Sequence, residues 1–387
     1  MNPDTLEQSP VRAFDWIEAH STRTPHKPVQ TDLSSGRRFT FGEMNDRVGR
    51  IAEYLASIGV NCGDRVGLVM PNSSDVLEII FATWRLGAVA VPLDPRLTSR
   101  ELTAVIKEAQ PGVMFFDHTL DDTVDQLRTS TGVPAWIATD GAGGDTPYEM
   151  VMRSVDPRLT KNFAQPSSAP CLLLYTPGTT GRSKGTIATH AMLTHAALSF
   201  IQACRITQDS VHLACMPMSC AAGLSAFIYP VLYMGGHVVI QRIFDSNETN
   251  DALHEPALGI THFYGTPSHY RALHLHSNQP KIDVATRVMA VGGRSRFAHI
   301  QQIYGTTETL GAGLIMPVDQ SKKKAGSVGL PGLYTEARIV REDGLRRRDR
   351  SNSQSKAGCN DISHGGNLRR TGGGGAAARA GRAGGGG

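Results

Sequence analysis

No two of the six cysteines form a CxxC pair, and Cys62, Cys171, Cys204, Cys215, Cys220 and Cys359 follow no regular spacing. That absence argues against a zinc ribbon, a thioredoxin-like redox motif and a disulfide framework. The thiols read as reduced, small apolar residues, and a cytoplasmic protein is expected. The opening MNPDTLEQSP carries two acids and no basic or apolar region, so no signal or transit peptide is expected. From Val211 to Ile240 the only titratable cations are His212 and His237, and the run is long enough to span a bilayer. Pro217, Pro230, Gly223, Gly235 and Gly236 break it, however. VHLACMP and HVVIQ then read as buried strands flanking a short buried helix, AGLSAFIYPVLYM, with no membrane contact. Beyond Gly344 there is no aromatic residue, no valine and no methionine. Such a segment cannot bury enough apolar surface to offset its ordering entropy, and disorder is expected over 345–387. That tail holds nine Lys/Arg against two Asp, +7 of a whole-chain +4, which leaves −3 on residues 1–344. The basic balance therefore belongs to the tail. With no RGG repeat and no interleaved aromatic there, nucleic acid is not expected as a partner.

The rest of the chain alternates two periods. RFTFGEMNDRVGRIAEYLASIGV places Met44, Val48, Ile51 and Leu55 on one face of a helix ending at Gly59. DRVGLVM reads as a strand, NSSDVLEIIFATWRLGA as a helix capped by Asn72 or Ser74, and VAVPL as a strand. SRELTAVIKEAQP is a further helix and GVMFFD a further strand. Continuous apolar strands between helices predict an α/β fold, a parallel sheet covered on both faces. GDTPYEMVMRSVDPRLTKNFAQPSSAP is polar and weakly periodic, and reads as a linker or surface excursion. Strands and helices resume with CLLLYT and TIAT and run through THFYGTP, and SVGLPGLYTEARIVREDG alternates like the strands of a small β unit.

LLLYTPGTTGRSKG, Leu172 to Gly185, concentrates the chemistry. Gly178, Gly181 and Gly185 let the backbone turn tightly and aim N–H groups inward. Thr176, Thr179, Thr180 and Ser183 add hydroxyl donors, and Arg182 and Lys184 add charge. Donors, cations and bare backbone together suit a polyphosphate; the plain alternative is a turn-rich surface hairpin. The stretch is not a Walker A loop, because Ser183 stands where GxxxxGK[ST] needs glycine and Gly185 where it needs Ser or Thr. The strand-like TIAT that follows makes the loop a link between two strands. His262, His269, His274 and His276 match no familiar ligand spacing and read as packing or surface residues.

YTPGTTGRSKG resembles the [YF]TSGTTGxPKG loop of the adenylate-forming superfamily, and IYGTTET (Ile303–Thr309) resembles that family's second motif, in the right order. GDRVGLVMPNSSD, RLGAVAVPLDPRL and HFYGTP are similar to further family segments, so the resemblance covers roughly residues 10–344. Among subfamilies the sequence looks most like acyl- and aryl-acid CoA ligases such as 4-chlorobenzoate CoA ligases. The resemblance implies stacked αβαβα layers. Residues 1–165 would form a first α/β subdomain, and 166–320 a second one carrying both motifs. Residues 321–344 would begin a small β unit, and 345–387 would be the tail. It also implies a carboxylic acid activated by ATP as an acyl-adenylate and passed to CoA, with Mg²⁺ required. The nucleotide would be held by Thr176, Gly178, Thr179, Thr180, Gly181, Lys184 and Gly185 and by Tyr304, Gly305, Thr306 and Thr307. Lys184, Thr307 and Glu308 are the implied catalytic residues, with Glu308 taking the metal and Tyr304 packing on adenine. The acid would lie near Cys220, Ala221, Gly223, Tyr264, Gly265, Gly292 and Gly293.

Four departures from the family pattern bear on activity. Pro177 replaces a loop serine, and Ser183 the usual proline. Cys220 stands where the family has histidine. Only ten residues separate Gly293 from Tyr304, so a helix covering the sheet is expected to be absent. No counterpart of the family's smaller C-terminal domain, with its ribose-binding aspartate and its lysine, is recognisable after Gly344. Two readings follow: an acid–CoA ligase with little turnover, or a non-catalytic remnant that binds nucleotide.

Overall fold

The computed structural model describes residues 12–139, 148–157, 165–176, 183–275, 288–292, 300–324, 327–337 and 368–370. In chain order the first half comprises α1 (Trp16–Arg23), β1 (Pro28–Asp32), β2 (Arg38–Thr40), α2 (Phe41–Ser57), β3 (Arg65–Val69), α3 (Ser74–Arg85), β4 (Val89–Leu93), α4 (Ser99–Ala109), β5 (Val113–Asp117), α5 (Asp121–Thr131), β6 (Ala135–Thr139), α6 (Tyr148–Ser154), β7 (Pro170–Thr176) and β8 (Lys184–Thr189). The second half continues with α7 (His190–Cys204), β9 (Val211–Ala214), α8 (Ala221–Gly223), α9 (Tyr229–Met234), β10 (His237–Ile240), α10 (Ser246–His254), β11 (His262–Gly265), α11 (Pro267–Leu275), β12 (Val288–Gly292), β13 (Gln301–Tyr304), β14 (Leu314–Ile315), β15 (Leu330–Pro331), β16 (Thr335–Ala337) and β17 (Leu368–Arg370). A π turn over Leu224–Ile228 joins α8 to α9, so 221–234 is one buried helix between β9 and β10. None of the helices described is long and apolar enough to cross a membrane.

Two sheets carry the fold. The six-stranded sheet runs β6-β5-β3-β4-β7-β8 and is parallel except at its β7–β8 edge. The nine-stranded sheet runs β15-β14-β13-β12-β11-β9-β10-β1-β2, with a parallel centre from β13 to β1 and antiparallel edges. Each sheet draws strands from both sides of residue 165, since β7 and β8 close the first and β1 and β2 the second.

Side-chain alternation along the strands separates the core into layers. Ala214, Val238, Ile240, Tyr264, Ala290 and Ile303 face a central cluster with Val66, Leu68 and the apolar faces of α2, α3, α7 and α9. Leu213, Val239, Phe263, Met289 and Val291 face outward to α10 and α11, and Val69, Val91, Met114 and Phe116 face α4 and α5. The result is the expected αβαβα stack, with α2 held at its start by a Thr40–Glu43 capping box.

The structure corrects three sequence expectations. Ser73, not Asn72 or Ser74, is the N-cap of α3; the Ser74 amide donates to the Asp32 carboxylate of β1 at 3.1 Å. The stretch read as a linker contains α6, whose Tyr148 is fully buried and donates to Glu78 at 2.7 Å. Seven residues are too few for their period to stand out among prolines. In the tail β17 pairs antiparallel with β16, so three of its residues take strand structure; the rest of 345–387 lies outside the described residues.

Candidate functional site

Parallel strands all end on one side of a sheet, and in open α/β sheets ligands bind in the crevice beyond those carboxyl ends. Neighbouring strands β13, β12, β11 and β9 finish there with Tyr304, Gly292, Gly265 and Ala214. The segments that follow carry most of the residues singled out in the sequence. Asn72, just past the end of β3 in the other sheet, ties this edge together. Its amide donates to the carbonyls of Met216 at 3.0 Å and Gln241 at 3.1 Å, and its carbonyl accepts from the Met218 amide at 2.8 Å. Sequence reasoning saw Asn72 only as a helix cap, because no local pattern reveals a partner more than 140 residues away.

The glycine-rich stretch has its two flanks in β7 and β8, which pair antiparallel. Its flanks are paired in register, Thr176 with Lys184 and Tyr175 with Gly185, and the Thr176 hydroxyl donates to the Lys184 carbonyl at 3.5 Å. Lys184 and Gly185 are exposed. Gly178, Thr179, Thr180 and Gly181 lie outside the described residues, as do Pro177 and Gly293. Strand β8 packs against the 3₁₀ turn Thr307–Thr309 that follows β13. The two motifs, more than a hundred residues apart, are therefore neighbours.

That turn is locked from within. The Thr306 amide donates to the Thr309 hydroxyl at 2.9 Å, and the same hydroxyl donates to the Thr306 carbonyl at 3.1 Å. Gly305 allows the closure, since a Cβ there would lie 2.3 Å from the Gly311 carbonyl oxygen. With Thr309 turned inward, Thr307 is half-buried and Glu308 exposed, and Glu308 makes no ion pair among the described residues. Tyr304 is half-buried beside them.

Deeper along the same edge, Tyr264 is 6 % exposed, and its hydroxyl lies where a side chain on Gly292 would start, 2.1 Å from an added Cβ. Its ring faces Phe227 at 5.8 Å. Cys220 precedes Ala221 and Gly223 at the start of the buried helix, and its thiol donates to the Pro217 carbonyl at 3.1 Å. Burial pushes that thiol above its ordinary value, so it stays protonated and supplies no base where the resemblance expects a histidine. Of the four histidines flagged in the sequence, His262 faces the Cys204 carbonyl at 3.1 Å and His269 stacks on Phe244 at 4.0 Å. His274 is exposed on α11, and His276 lies outside the described residues.

The profile of the AMP-binding enzyme family matches residues 17–352. The chain belongs to the AMP-binding enzyme family. As a member it is similar to feruloyl-CoA synthase of Amycolatopsis sp., 28 % identical over 341 residues that make up 85 % of this chain and 66 % of that protein. It is 24 % identical to the long-chain-fatty-acid–CoA ligase FadD13 of Mycobacterium tuberculosis, across 87 % of this chain and 68 % of that one. This AMP-binding chain thus spans about two-thirds, at most, of the length of these curated relatives. In fold it is similar to the N-terminal domain of FACL13 from M. tuberculosis, with a TM-score of 0.78, 24 % identity and coverage of 87 % of this chain and 86 % of that one. ATP-bound MatB from Rhodopseudomonas palustris gives a TM-score of 0.77 at 23 % identity, covering 92 % of this chain and 70 % of that one.

Proposed function

We propose that the chain binds ATP and a carboxylic acid at the carboxyl edge of the nine-stranded sheet and joins them as an acyl-adenylate, the first half of an acid–CoA ligase reaction. The observation that carries this reading is the packing of β8, with Lys184 at its start, against the Thr307–Thr309 turn. The strand that Lys184 begins and the turn that carries Thr307 and Glu308 are thereby neighbours at the carboxyl edge of the sheet. A carboxylate oxygen attacks the α-phosphorus, the bond to the bridging oxygen breaks, and pyrophosphate leaves with its electrons. Lys184 and Thr176 are assigned to the β- and γ-phosphates, and Thr307 to the α-phosphate, where donors matter most as charge builds. Exposed Glu308 fits a Mg²⁺ shared between one carboxylate and phosphate oxygens rather than an all-protein cage, and among the described residues no cluster of three candidate metal ligands exists. Bound there, the ion would neutralise polyphosphate charge. Tyr304 is assigned to adenine. The CoA ligases among the curated relatives support CoA as the acceptor.

The test is acid-dependent ATP–pyrophosphate exchange with a panel of benzoates and fatty acids. Lys184→Ala is expected to lower exchange by about 10²–10³-fold; no exchange with any acid removes the reading. One observation favours a second reading, nucleotide binding without turnover. Parallel neighbours β12 and β13 are joined by eight residues, 293–300, fewer than the dozen or more a parallel crossover ordinarily needs. Calorimetric ATP binding without exchange would select it.

A further inference from the structure

The turn that carries Thr307 and Glu308 ends in a backbone conformation that has to be held. Among the described residues, three that are not glycine have positive φ: Gln110, Arg205 and Leu310. Gln110 and Arg205 close the long helices α4 and α7, where a left-handed residue is an ordinary terminator. Leu310 differs. It closes a 3₁₀ turn of three residues with φ 50° and ψ 36°, and Gly311 after it has φ 77°. Leucine in the left-handed region is strained, and such strain persists only where the surroundings over-determine the backbone. On the inner side they do so by packing and by bonds within the turn. Leu310 and Ala312 are buried in the central cluster, and the Gly311 and Ala312 amides donate to the Thr306 and Thr309 carbonyls at 3.0 and 3.1 Å. On the outer side one short segment, the link from β15 to β16, closes over the same residues. The Gly332 amide donates to the Gly313 carbonyl at 3.2 Å, and the hydroxyl of Thr335, first residue of β16, donates to the Ala312 carbonyl at 3.0 Å. This segment is itself seated on α7. A Cβ on Gly332 would lie 2.9 Å from the Ser199 hydroxyl oxygen, and the Tyr334 ring stacks on His195 with centroids 4.1 Å apart. Leu333 between them is 59 % exposed, so the seat is polar and aromatic and does not depend on the leucine.

We propose that Thr335 is a positioning residue for the nucleotide. Its bond to Ala312, with Tyr334 seated on α7, braces Leu310–Ala312 from outside and so holds Thr307 and Glu308 where they meet phosphate oxygens. The roles of Thr307 and Glu308 rest on the acid-activating reading above. Without the brace the left-handed pair Leu310–Gly311 relaxes, and the turn moves by a fraction of an ångström, enough to misplace donors whose value depends on position. The effect falls on ATP and spares the acid, because the brace acts on the turn and not on the strand ends assigned to the acid.

Four variants of the full chain test this. Thr335→Val keeps the shape and removes the donor, whereas Thr335→Ser keeps the donor. Tyr334→Ala removes the stack on His195, whereas Tyr334→Phe keeps it. Each is measured by calorimetric binding of ATP with Mg²⁺ and by pyrophosphate exchange, with the KM for ATP and for the acid determined separately. Amide hydrogen exchange of the 303–316 peptide reads the turn directly. Thr335→Val and Tyr334→Ala should weaken ATP about three- to tenfold and leave the KM for the acid within about twofold. They should also speed amide exchange in that peptide about tenfold, with peptides of α2 unchanged. Thr335→Ser and Tyr334→Phe should stay within about twofold of the wild type. Unchanged ATP affinity in Thr335→Val and Tyr334→Ala overturns the proposal. So does a loss that Thr335→Ser fails to rescue, or a KM for the acid that rises as much as that for ATP. ATP binding that follows the expected pattern without exchange supports the brace while removing acid activation; no ATP binding by the wild type removes both.

Discussion

At the scale of single residues, Asn72 holds more of the site than any motif residue among those described. One amide satisfies three backbone groups, two on the Met216–Met218 segment that leads to Cys220 and one on Gln241. Asn72→Ala would leave those groups buried without partners, at a cost of about 2–4 kcal/mol. The expected result is a lower urea midpoint with an unchanged slope, together with a rise in the KM for the acid as the Cys220 segment loosens. Unchanged midpoint and KM would rule the clamp out. The contrast with the motif residues explains what sequence can disclose at this scale. Glu308 and Lys184 stand in short stretches whose composition is odd, so they are visible. Asn72, Asp32 under the α3 N-terminus, and the Tyr148–Glu78 bond act through partners that no local window contains.

Among the elements, the decisive contact is that of the β7–β8 hairpin with the turn after β13. The turn keeps its shape because Gly305 passes close to Gly311 and Thr309 bonds Thr306 on both sides. Gly305→Ala forces a Cβ within 2.3 Å of a backbone oxygen, so the turn has to move. Overpacking of this kind costs about 1–3 kcal/mol. A displacement of a few tenths of an ångström at Thr307 and Glu308 should raise the KM for ATP and lower exchange about ten- to a hundredfold. Exchange at the wild-type level, with the protein folded by circular dichroism, would detach the turn from the nucleotide. Elements themselves were legible wherever their period ran long enough. The face of Met44, Val48, Ile51 and Leu55 in α2 and the fully buried β4 and β5 match their patterns. Helix α6 was not legible, being two turns long with three buried residues. Strand order was not either. Pairing β1 with β10 joins segments some two hundred residues apart, a choice made by packing of whole layers and not by anything written in either strand.

For the whole molecule, the same buried core that positions the site makes folding depend on pH. Burial lowers His212 to about 3, where it stacks on Phe227 with Nδ1 3.2 Å from the His262 carbonyl. Burial likewise lowers His190, edge-on to Trp84, to about 4, and His237, bonded to the Thr31 hydroxyl at 2.9 Å with Arg38 and Lys27 adding to the shift, to about 4. In the unfolded chain each returns to about 6.5. Between those values the unfolded state takes up protons that the folded state refuses, so stability rises with pH across the window. It is complete above about pH 7 and is lost as pH falls from 6.5 toward 4. Each histidine contributes a loss of about 1.4 kcal/mol at pH 5.5 relative to pH 7.5, or about 4 kcal/mol for the three. The carboxylates of Asp94 and Asp117, both held below their ordinary value with Arg96 and Arg242 as partners, act in the same direction but only as pH falls below about 4. Between pH 5.5 and 7.5 the histidines therefore dominate. Urea unfolding at these two pH values should show the midpoint falling on acidification, and His212→Gln should remove about a third of the drop. A midpoint independent of pH across that range would mean that the three rings take up protons without unfolding the layers around them.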